Sequence, residues 1–220
     1  MKLIGIDFSI TKTGVCVWDS TTDKYSFFGF PRPDHISPAR KQIFRDHGVT
    51  IVDRRDLKNS HTDSSDKMRF AVDNARYLAD QIVWALEEDL VPETYIAFEG
   101  MSFGSTGDAV LQLSGYKYLL MHQLSSYVPL ERMYTYAPQT IKKTAGCSVK
   151  ILDPITGKKR TQGKPDMIRA FEKEPTEFSK KVRENPDLFM KKGHKSYIEL
   201  LDDLVDSYWV IQTHKEKQAL

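Results

Sequence analysis

Cysteine is scarce in this sequence, which has only Cys16 and Cys147 among its 220 residues. Two cysteines cannot form a disulfide framework, and neither belongs to a CxxC motif that would indicate a zinc or redox site. The sequence also lacks any run near ~18 apolar residues, so no membrane span is predicted. Its N-terminus has no apolar segment typical of a signal peptide. We therefore expect a protein of a reducing, cytoplasmic compartment, in which Cys16 is a small core residue.

The chain has little net charge, formally +2, although its basic residues are unevenly distributed. Between Lys142 and Lys195 there are fifteen lysines and arginines but seven acids. Such a basic segment is typical of a surface that binds a polyanion such as nucleic acid. The alternative is a lysine-rich surface that contacts only solvent. With 40% hydrophobic and 11% aromatic residues, the chain can form a sizeable core.

The hydrophobic pattern predicts one α/β domain covering residues 1–220. Five strands are expected, at residues 2–8, 14–18, 25–30, 95–99 and 133–136. Helices are expected at residues 66–90, 108–127, 139–144, 164–171 and 197–214, and a basic hairpin at 149–161. A three-stranded meander followed by crossover helices predicts a mixed five-stranded sheet with helices on both faces. Residues 31–65 are polar and irregular, so we expect an inserted loop there, with a short strand candidate at 49–52.

Four acids lie where a metal-dependent nuclease needs them. Asp7 lies within an apolar run, Glu99 ends a predicted strand, and Asp203 and Asp206 share the last helix. A carboxylate at the end of a buried strand is costly unless something compensates its charge. Clustered carboxylates hold hard cations such as Mg²⁺, and two such ions can clamp the attacking and leaving oxygens of a phosphodiester. The alternatives are that Asp7 closes a turn and that Glu99 begins a loop, each bonded to backbone.

The last predicted helix has one apolar and one acidic face. At ~100° per residue, Asp203, Asp206 and His214 fall on one side, with Glu199 beside them. Leucines and aromatic residues occupy the opposite side. An ordinary amphipathic helix with a solvated acidic face is the alternative. Asp202 lies close enough on the helical wheel to replace Asp203 as the partner of Asp206.

Four short motifs, in order along the chain, resemble those of one nuclease family. They are residues 3–9 with Thr13-Gly14-Val15, Phe98-Glu99 followed by Phe103, Tyr136-Ala137-Pro138 with residues 141–144 and Gly163-Lys164, and residues 203–206 with Thr213-His214. Together they resemble the RuvC-type Holliday junction resolvases of the RNase H-like superfamily. Residues 31–65, 149–161 and 172–195 look like additions, and Phe103 follows the second acid one residue later than in the family. A phage-type variant fits these departures.

The resemblance implies a fold, a reaction and a metal site. The fold is an RNase H-like mixed five-stranded sheet flanked by helices. The activity is that of a Mg²⁺-dependent endodeoxyribonuclease, a hydrolase that resolves four-way (Holliday) DNA junctions in recombination and repair. Paired symmetric nicks would leave 5′-phosphate and 3′-hydroxyl ends. Asp7, Glu99, Asp203 and Asp206 would be the catalytic ligands of two Mg²⁺ ions, for which Mn²⁺ is a plausible substitute.

The resemblance also implies DNA contacts and a homodimer. The residues expected to contact branched DNA are Phe103, Lys142, Lys143, Lys158, Lys159, Arg160 and Lys164. The basic residues would bind phosphates, whereas Phe103 would stack on unpaired bases at the crossover, unless it packs into the core. Two symmetric cuts require a dimer with two-fold symmetry. Its contact is expected on the helix at 108–127, through Gly115, Tyr116 and Tyr118, unless that helix packs only on its own sheet.

Three other functions are compatible with parts of this pattern. A related nuclease acting on other branched DNA or on RNA–DNA hybrids would have the same metal site. An actin-like ATPase shares the opening strand-turn-strand, but it needs two such domains, and 220 residues hold one. A non-catalytic DNA-binding module would not need the full set of acids.

Overall fold

The computed structural model describes residues 1–54, 63–101, 107–152, 157, 159–191, 193 and 196–219. The side chains of Ser64, Asp108 and Ala109 are outside this description. Two residues predicted to contact DNA, Phe103 and Lys158, also lie outside the described residues.

The core element is a six-stranded mixed sheet with the strand order β4-β3-β2-β1-β5-β6. Its strands are β1 Lys2–Asp7, β2 Lys12–Asp19, β3 Lys24–Pro31, β4 Val49–Ile51, β5 Tyr95–Glu99 and β6 Met133–Tyr136. The first three form an antiparallel meander, and the other neighbours pair in parallel. The predicted mixed sheet is therefore confirmed, with six strands where five were expected.

The sixth strand comes from the segment predicted to be an irregular insertion. Helix α1, Pro38–Asp46, begins where the Ser37 hydroxyl accepts a hydrogen bond from the backbone N–H of Arg40. In strand β4, Val49 and Ile51 are buried and Thr50 between them is exposed. This alternation is the two-residue period of a β-strand. The strand candidate at 49–52 is confirmed as β4, whereas the polar composition of α1, of which only Lys41 and Phe44 are buried, concealed the helix.

Six further helices complete the chain. They are α2 Ser64–Ala85, α3 Asp108–Leu124, α4 Pro138–Thr144, α5 Lys164–Phe171, α6 Glu177–Glu184 and α7 Leu201–Gln218. The predicted basic hairpin is present as β7 Lys150–Leu152 and β8 Lys159–Thr161. Among the described residues, no helix has both the length and the hydropathy needed to cross a membrane.

Helices cover both faces of the sheet. Leu3, Cys16 and Phe27 point to one side and pack against α7, α5 and α6, and we call this side the α7 face. Ile4 and Val15 point to the other side, which α2 and α3 cover. The alternation follows from the two-residue period of a strand. The side on which a strand-end acid lies therefore depends on whether its position is odd or even along the strand.

Helix α7 differs from its predicted form. It begins at Leu201, because Leu200 has a left-handed backbone with φ of 77° that interrupts helical geometry. Glu199 thus precedes the helix and pairs with Lys191 at 2.6 Å and with Arg40. The predicted amphipathic character is also wrong, because α7 is buried along most of its circumference, between the sheet on one side and α4 and α5 on the other.

Candidate metal centre

The two strand-end acids lie side by side. Strands β1 and β5 are parallel neighbours whose last register pair is Ile6 with Phe98. Asp7 and Glu99 each follow that pair, and both extend from the α7 face because they alternate with buried residues of the other face. The first turns of α7 bring Asp206 to the same place. Carboxylate oxygens of Asp7, Glu99 and Asp206 lie within 4.8 Å of one another.

These acids line a cavity of about 430 Å³ that opens to solvent at the ends of β1 and β5. Asp203 lines the same cavity, and Val110 and Leu113 of α3 form an apolar wall. The lining also contains three lysines, Lys12, Lys117 and Lys164. All four acids predicted as metal ligands therefore face one space, although only three of them have oxygens in the compact group.

Burial dominates the electrostatics of this cavity. It raises the pKa of Asp7, Asp203 and Asp206 well above the ordinary carboxylate value, and nearby acids add to the effect. Burial also raises the pKa of Glu99, and the charge of Asp206 raises it further. Buried acids this close disfavour one another's ionised forms, and the charges of Lys12 and Lys164 offset only part of that effect. The cluster therefore favours the binding of further positive charge.

The donor set fits a hard divalent cation. All three atoms in the compact group are carboxylate oxygens, which Mg²⁺ prefers over nitrogen or sulfur ligands. The raised pKa values supply a reason for binding, because a divalent ion would replace protons that the acids otherwise retain. Asp203, on the cavity wall, would complete the set if a second ion were bound.

Asp202 has different surroundings from Asp203. Its two oxygens accept hydrogen bonds from Lys164 at 2.6 Å and from Lys12 at 3.3 Å. Burial raises its pKa, but these two lysines outweigh burial and hold the pKa at about 2. Among the described residues it lines a neighbouring cleft and not the acidic cavity. Of the two alternatives left open by the sequence, Asp203 is the one that lines the cavity.

Two lysines of the site were missed by the sequence analysis. Lys12 lies 3.0 Å from Asp203 at the start of β2. Lys117 of α3 donates a hydrogen bond of 2.6 Å to the backbone oxygen of Glu99, and burial lowers its pKa to about 8. A signal for Lys117 was present, because it occupies an inward position of α3 between Leu113 and Leu120. A lysine in an apolar stripe indicates a buried anion or carbonyl.

The remaining predicted DNA contacts lie around the cavity or away from it. Lys164 begins α5 and is 3.7 Å from Asp206. Lys142 and Lys143 lie on α4, which packs against α7. Lys159 is exposed on β8, whereas its neighbour Arg160 donates two hydrogen bonds, of 2.6 and 2.8 Å, to Asp166.

His214 lies on the same side of α7 as Asp203 and Asp206, as the helical wheel predicts, but it is not among the described residues that line the acidic cavity. It is fully buried, with Nδ1 2.9 Å from the hydroxyl of Tyr136 and its ring against Tyr95 and Tyr134. Two turns separate it from Asp206, a rise of ~12 Å along the axis, so it lies under β5 and β6 and not at their ends.

No protein-family model matches the sequence, and no curated protein sequence matches it. Solved structures of similar fold include the following three. RuvC of T. thermophilus in complex with a Holliday junction substrate is 13% identical with a TM-score of 0.49, covering 99% of this chain and 96% of that one. A second Thermus thermophilus RuvC structure is 14% identical with a TM-score of 0.47, covering 100% and 97%. The Fowlpox virus resolvase with its substrate Holliday junction DNA is 11% identical with a TM-score of 0.44, covering 100% of both chains.

Proposed function

We propose that this protein is a metal-dependent endonuclease that resolves four-way DNA junctions by paired symmetric nicks. The observation that carries the proposal is the group of three carboxylates within 4.8 Å at the ends of two adjacent parallel strands. A fourth acid and three lysines line the same cavity. The group lines a cavity that opens to solvent, where a phosphodiester could reach a bound ion. Recombination and repair in the cytoplasm are the proposed setting.

Asp7, Glu99, Asp203 and Asp206 would hold two Mg²⁺ ions, with Mn²⁺ as a plausible substitute. Such ions supply an activated water and stabilise the leaving 3′-oxygen of a phosphodiester. Asp7 and Glu99 extend from rigid strand ends, and α7 fixes Asp203 and Asp206 by packing on β1 and β2. The chain thus presents its ligands on regular elements, which keeps the geometry of in-line attack constant. The ends produced would be 5′-phosphate and 3′-hydroxyl.

The lysines of the cavity would contact the scissile phosphate. Lys164 is the most exposed of the three, so it can leave its acid partners when a phosphate arrives. Lys142, Lys143, Lys159 and Arg160, with Lys158 and Phe103 from outside the described residues, would extend the DNA surface. Contacts of this kind position a duplex but do not read its sequence.

A homodimer would provide the two active sites that paired nicks require. Leu111, Gly115, Tyr118 and His122 follow the helical repeat along one exposed face of α3, and Leu111 and Tyr118 are large apolar side chains. Among the described residues, no atom outside the adjoining backbone of α3 lies within 4 Å of a Cβ built at Gly115, so a second helix could approach closely there. Tyr116 was also predicted to lie in the dimer contact. It is buried within the monomer and is therefore not part of this exposed face.

The deciding experiment is a cleavage assay with Mg²⁺ on junction, flap, linear duplex and RNA–DNA hybrid substrates. We expect the wild-type protein to make symmetric nicks in the junction. We expect Asp7→Asn and Asp206→Asn to make none. Both variants should still bind the junction, because removing a negative charge reduces repulsion of phosphate. Asn variants are nearly isosteric with Asp, so a lost activity would reflect lost charge. Full cleavage by Asp7→Asn would refute the site.

The same assay tests the second candidate, a nuclease acting on other branched DNA or on hybrids. The identical metal centre favours that candidate as much as the first, since four carboxylates do not encode the shape of the substrate. Cutting of flaps or hybrids without cutting of junctions would replace the resolvase proposal by this one.

A further inference from the structure

Asp202 shares two lysines with the proposed metal ligands. Lys12 Nζ lies 3.3 Å from Asp202 and 3.0 Å from Asp203. Lys164 Nζ lies 2.6 Å from Asp202 and 3.7 Å from Asp206. Each ammonium group therefore lies between Asp202 and one acid of the cavity. Asp202, which does not line the cavity, binds both lysines, whereas Asp203 and Asp206 bind one each.

An ammonium group on a ligand carboxylate competes with a metal ion for the same oxygens. Without Asp202, the nearest remaining acids for these lysines are Asp203 and Asp206, since both already lie within 4 Å of them. We propose that Asp202 is a positioning residue that holds Lys164 away from Asp206 and competes with Asp203 for Lys12, and so leaves Asp203 and Asp206 more available to metal. The inference rests on the proposed metal-dependent function.

A direct role of Asp202 as a ligand is less consistent with its contacts. Oδ1 accepts from Lys12 and Oδ2 accepts from Lys164, so both of its oxygens are engaged. The compact group of oxygens is built from Asp7, Glu99 and Asp206. Positioning by Asp202 also keeps two positive charges at the entrance, where an incoming phosphate would meet them.

The test is Mn²⁺ binding to the full chain without DNA, measured by electron paramagnetic resonance, so that no cleavage is involved. Asp202→Asn should weaken Mn²⁺ binding about fivefold, the size of a partly exposed charge pair. In a Lys12→Gln/Lys164→Gln background, Asp202→Asn should not alter Mn²⁺ affinity. That background has no ammonium group at these positions to compete with Mn²⁺ for Asp203 and Asp206. Asp202→Ser serves as a second variant, and circular dichroism verifies folding.

Two controls separate positioning from a general loss of negative charge. Lys191→Gln removes a nearby lysine that pairs with Glu199, so Asp202→Asn should keep its full effect in that background. Glu199→Gln removes another ion-paired acid beside α7 and should leave Mn²⁺ binding unchanged. Independent effects add, whereas effects through a shared contact do not.

The outcomes distinguish this inference from the proposed function. Equal losses from Asp202→Asn in every background would show a simple charge effect and overturn the inference. Loss of all Mn²⁺ binding, as expected for Asp206→Asn, would make Asp202 a ligand and also overturn it. If the wild-type chain itself bound no Mn²⁺, the metal centre would be refuted, whereas the first two outcomes leave it intact.

Discussion

Gly14 of β2 lies against Asp203 of α7 so closely that a Cβ atom at Gly14 would overlap the backbone oxygen of Asp203. Gly14 is also the cross-strand partner of Asp7. Gly14 therefore contacts two of the proposed ligands, Asp7 beside it in the sheet and Asp203 in the helix that packs on the sheet. Gly5 makes the same close approach to Ser207, one turn further along α7.

Gly14→Ala is expected to displace the start of α7 and to impair the metal centre. Overpacking against backbone cannot be relieved by rotating a side chain, and it costs about 1–3 kcal/mol of unfolding free energy. Urea denaturation measures the stability, and Mn²⁺ titration measures the site. Mn²⁺ affinity should fall at least about tenfold, as for a shift of ligands by a fraction of an ångström.

Gly29→Ala is the matched control, because Gly29 pairs with Gly14 on β3. A Cβ there would meet the side-chain atoms Leu200 Cδ2 at 2.6 Å and Ile51 Cδ1 at 3.0 Å, which can move. It should lower stability with little change in Mn²⁺ affinity. Unchanged metal binding in Gly14→Ala would show that the close approach does not determine the ligand positions.

The sequence predicted the acids of this site because local rules govern them. A two-residue period places Asp7 and Glu99 on one face of neighbouring strands, and a three-residue spacing places Asp203 and Asp206 on one side of a helix. Both rules act over a few residues. The strand β5, which carries Glu99, was predicted with the limits that the structure shows, Tyr95–Glu99.

What the sequence did not predict depends on contacts between distant segments. Lys12 and Lys117 enter the site because β2 and α3 pack beside the acids. The apolar stripe of α3 indicates that Lys117 faces inward, but it does not indicate which group Lys117 contacts. The burial of His214 depends on its packing against Tyr95, Tyr134 and Tyr136 of β5 and β6, which are distant in the sequence. Strand β4 was a candidate in the sequence, but its place beside β3 in the sheet depends on a contact that no pattern within 31–65 reveals.

Without metal, the folded protein should lose stability as pH rises from about 4 towards neutral values. Burial raises the pKa of Asp206 well above the ordinary value, and the charge of Asp7 raises it further. In that pH range the folded state therefore binds more protons than the unfolded state, and the free energy of unfolding falls with increasing pH. Thermal melts across this range in a chelating buffer measure the effect, and Mg²⁺ should reverse it at neutral pH.

Asp206→Asn should increase the stability of the metal-free protein at neutral pH by about 0.5–2 kcal/mol, because it removes a buried charge. It should also abolish the stabilisation by Mg²⁺. Asp19→Asn is the control, since Asp19 lies at the opposite end of β2 and its pKa is lowered by a hydrogen bond from the backbone of Thr21. A metal-free protein whose stability rises with pH would contradict the burial of these charges.

Tyr118→Glu and Leu111→Glu should convert the proposed dimer into a monomer. Each places a charge on the exposed face of α3, where desolvation in a helix pair would be costly. Sedimentation velocity measures the oligomeric state. Trp84→Glu is the control, because Trp84 is an equally exposed aromatic residue on the neighbouring helix α2. If Trp84→Glu dissociated the dimer and the two α3 variants did not, the dimer contact would be assigned to α2 instead of α3.

Lys159 and Arg160 are adjacent on β8, yet their substitutions should have different effects. Lys159 is exposed, so Lys159→Gln should reduce the dependence of DNA affinity on salt by about one counterion with no change in stability. Lys24→Gln is the control, because Lys24 lies at the end of β3 that is far from the cavity. It should leave the salt dependence of DNA affinity unchanged. An equal change in both lysine variants would show that DNA binding is not confined to the proposed surface.

Arg160→Gln should mainly destabilise the fold, because the Arg160 guanidinium donates two hydrogen bonds to Asp166 and these lower the pKa of Asp166 to about 2. The folded state therefore binds fewer protons than the unfolded state between about pH 4 and 2, and the stability that this pair contributes is lost as pH falls through that range. Arg160→Gln should cost about 1 kcal/mol at pH 7 and nearly nothing at pH 2. A loss of DNA affinity at unchanged stability would instead assign Arg160 to the DNA surface.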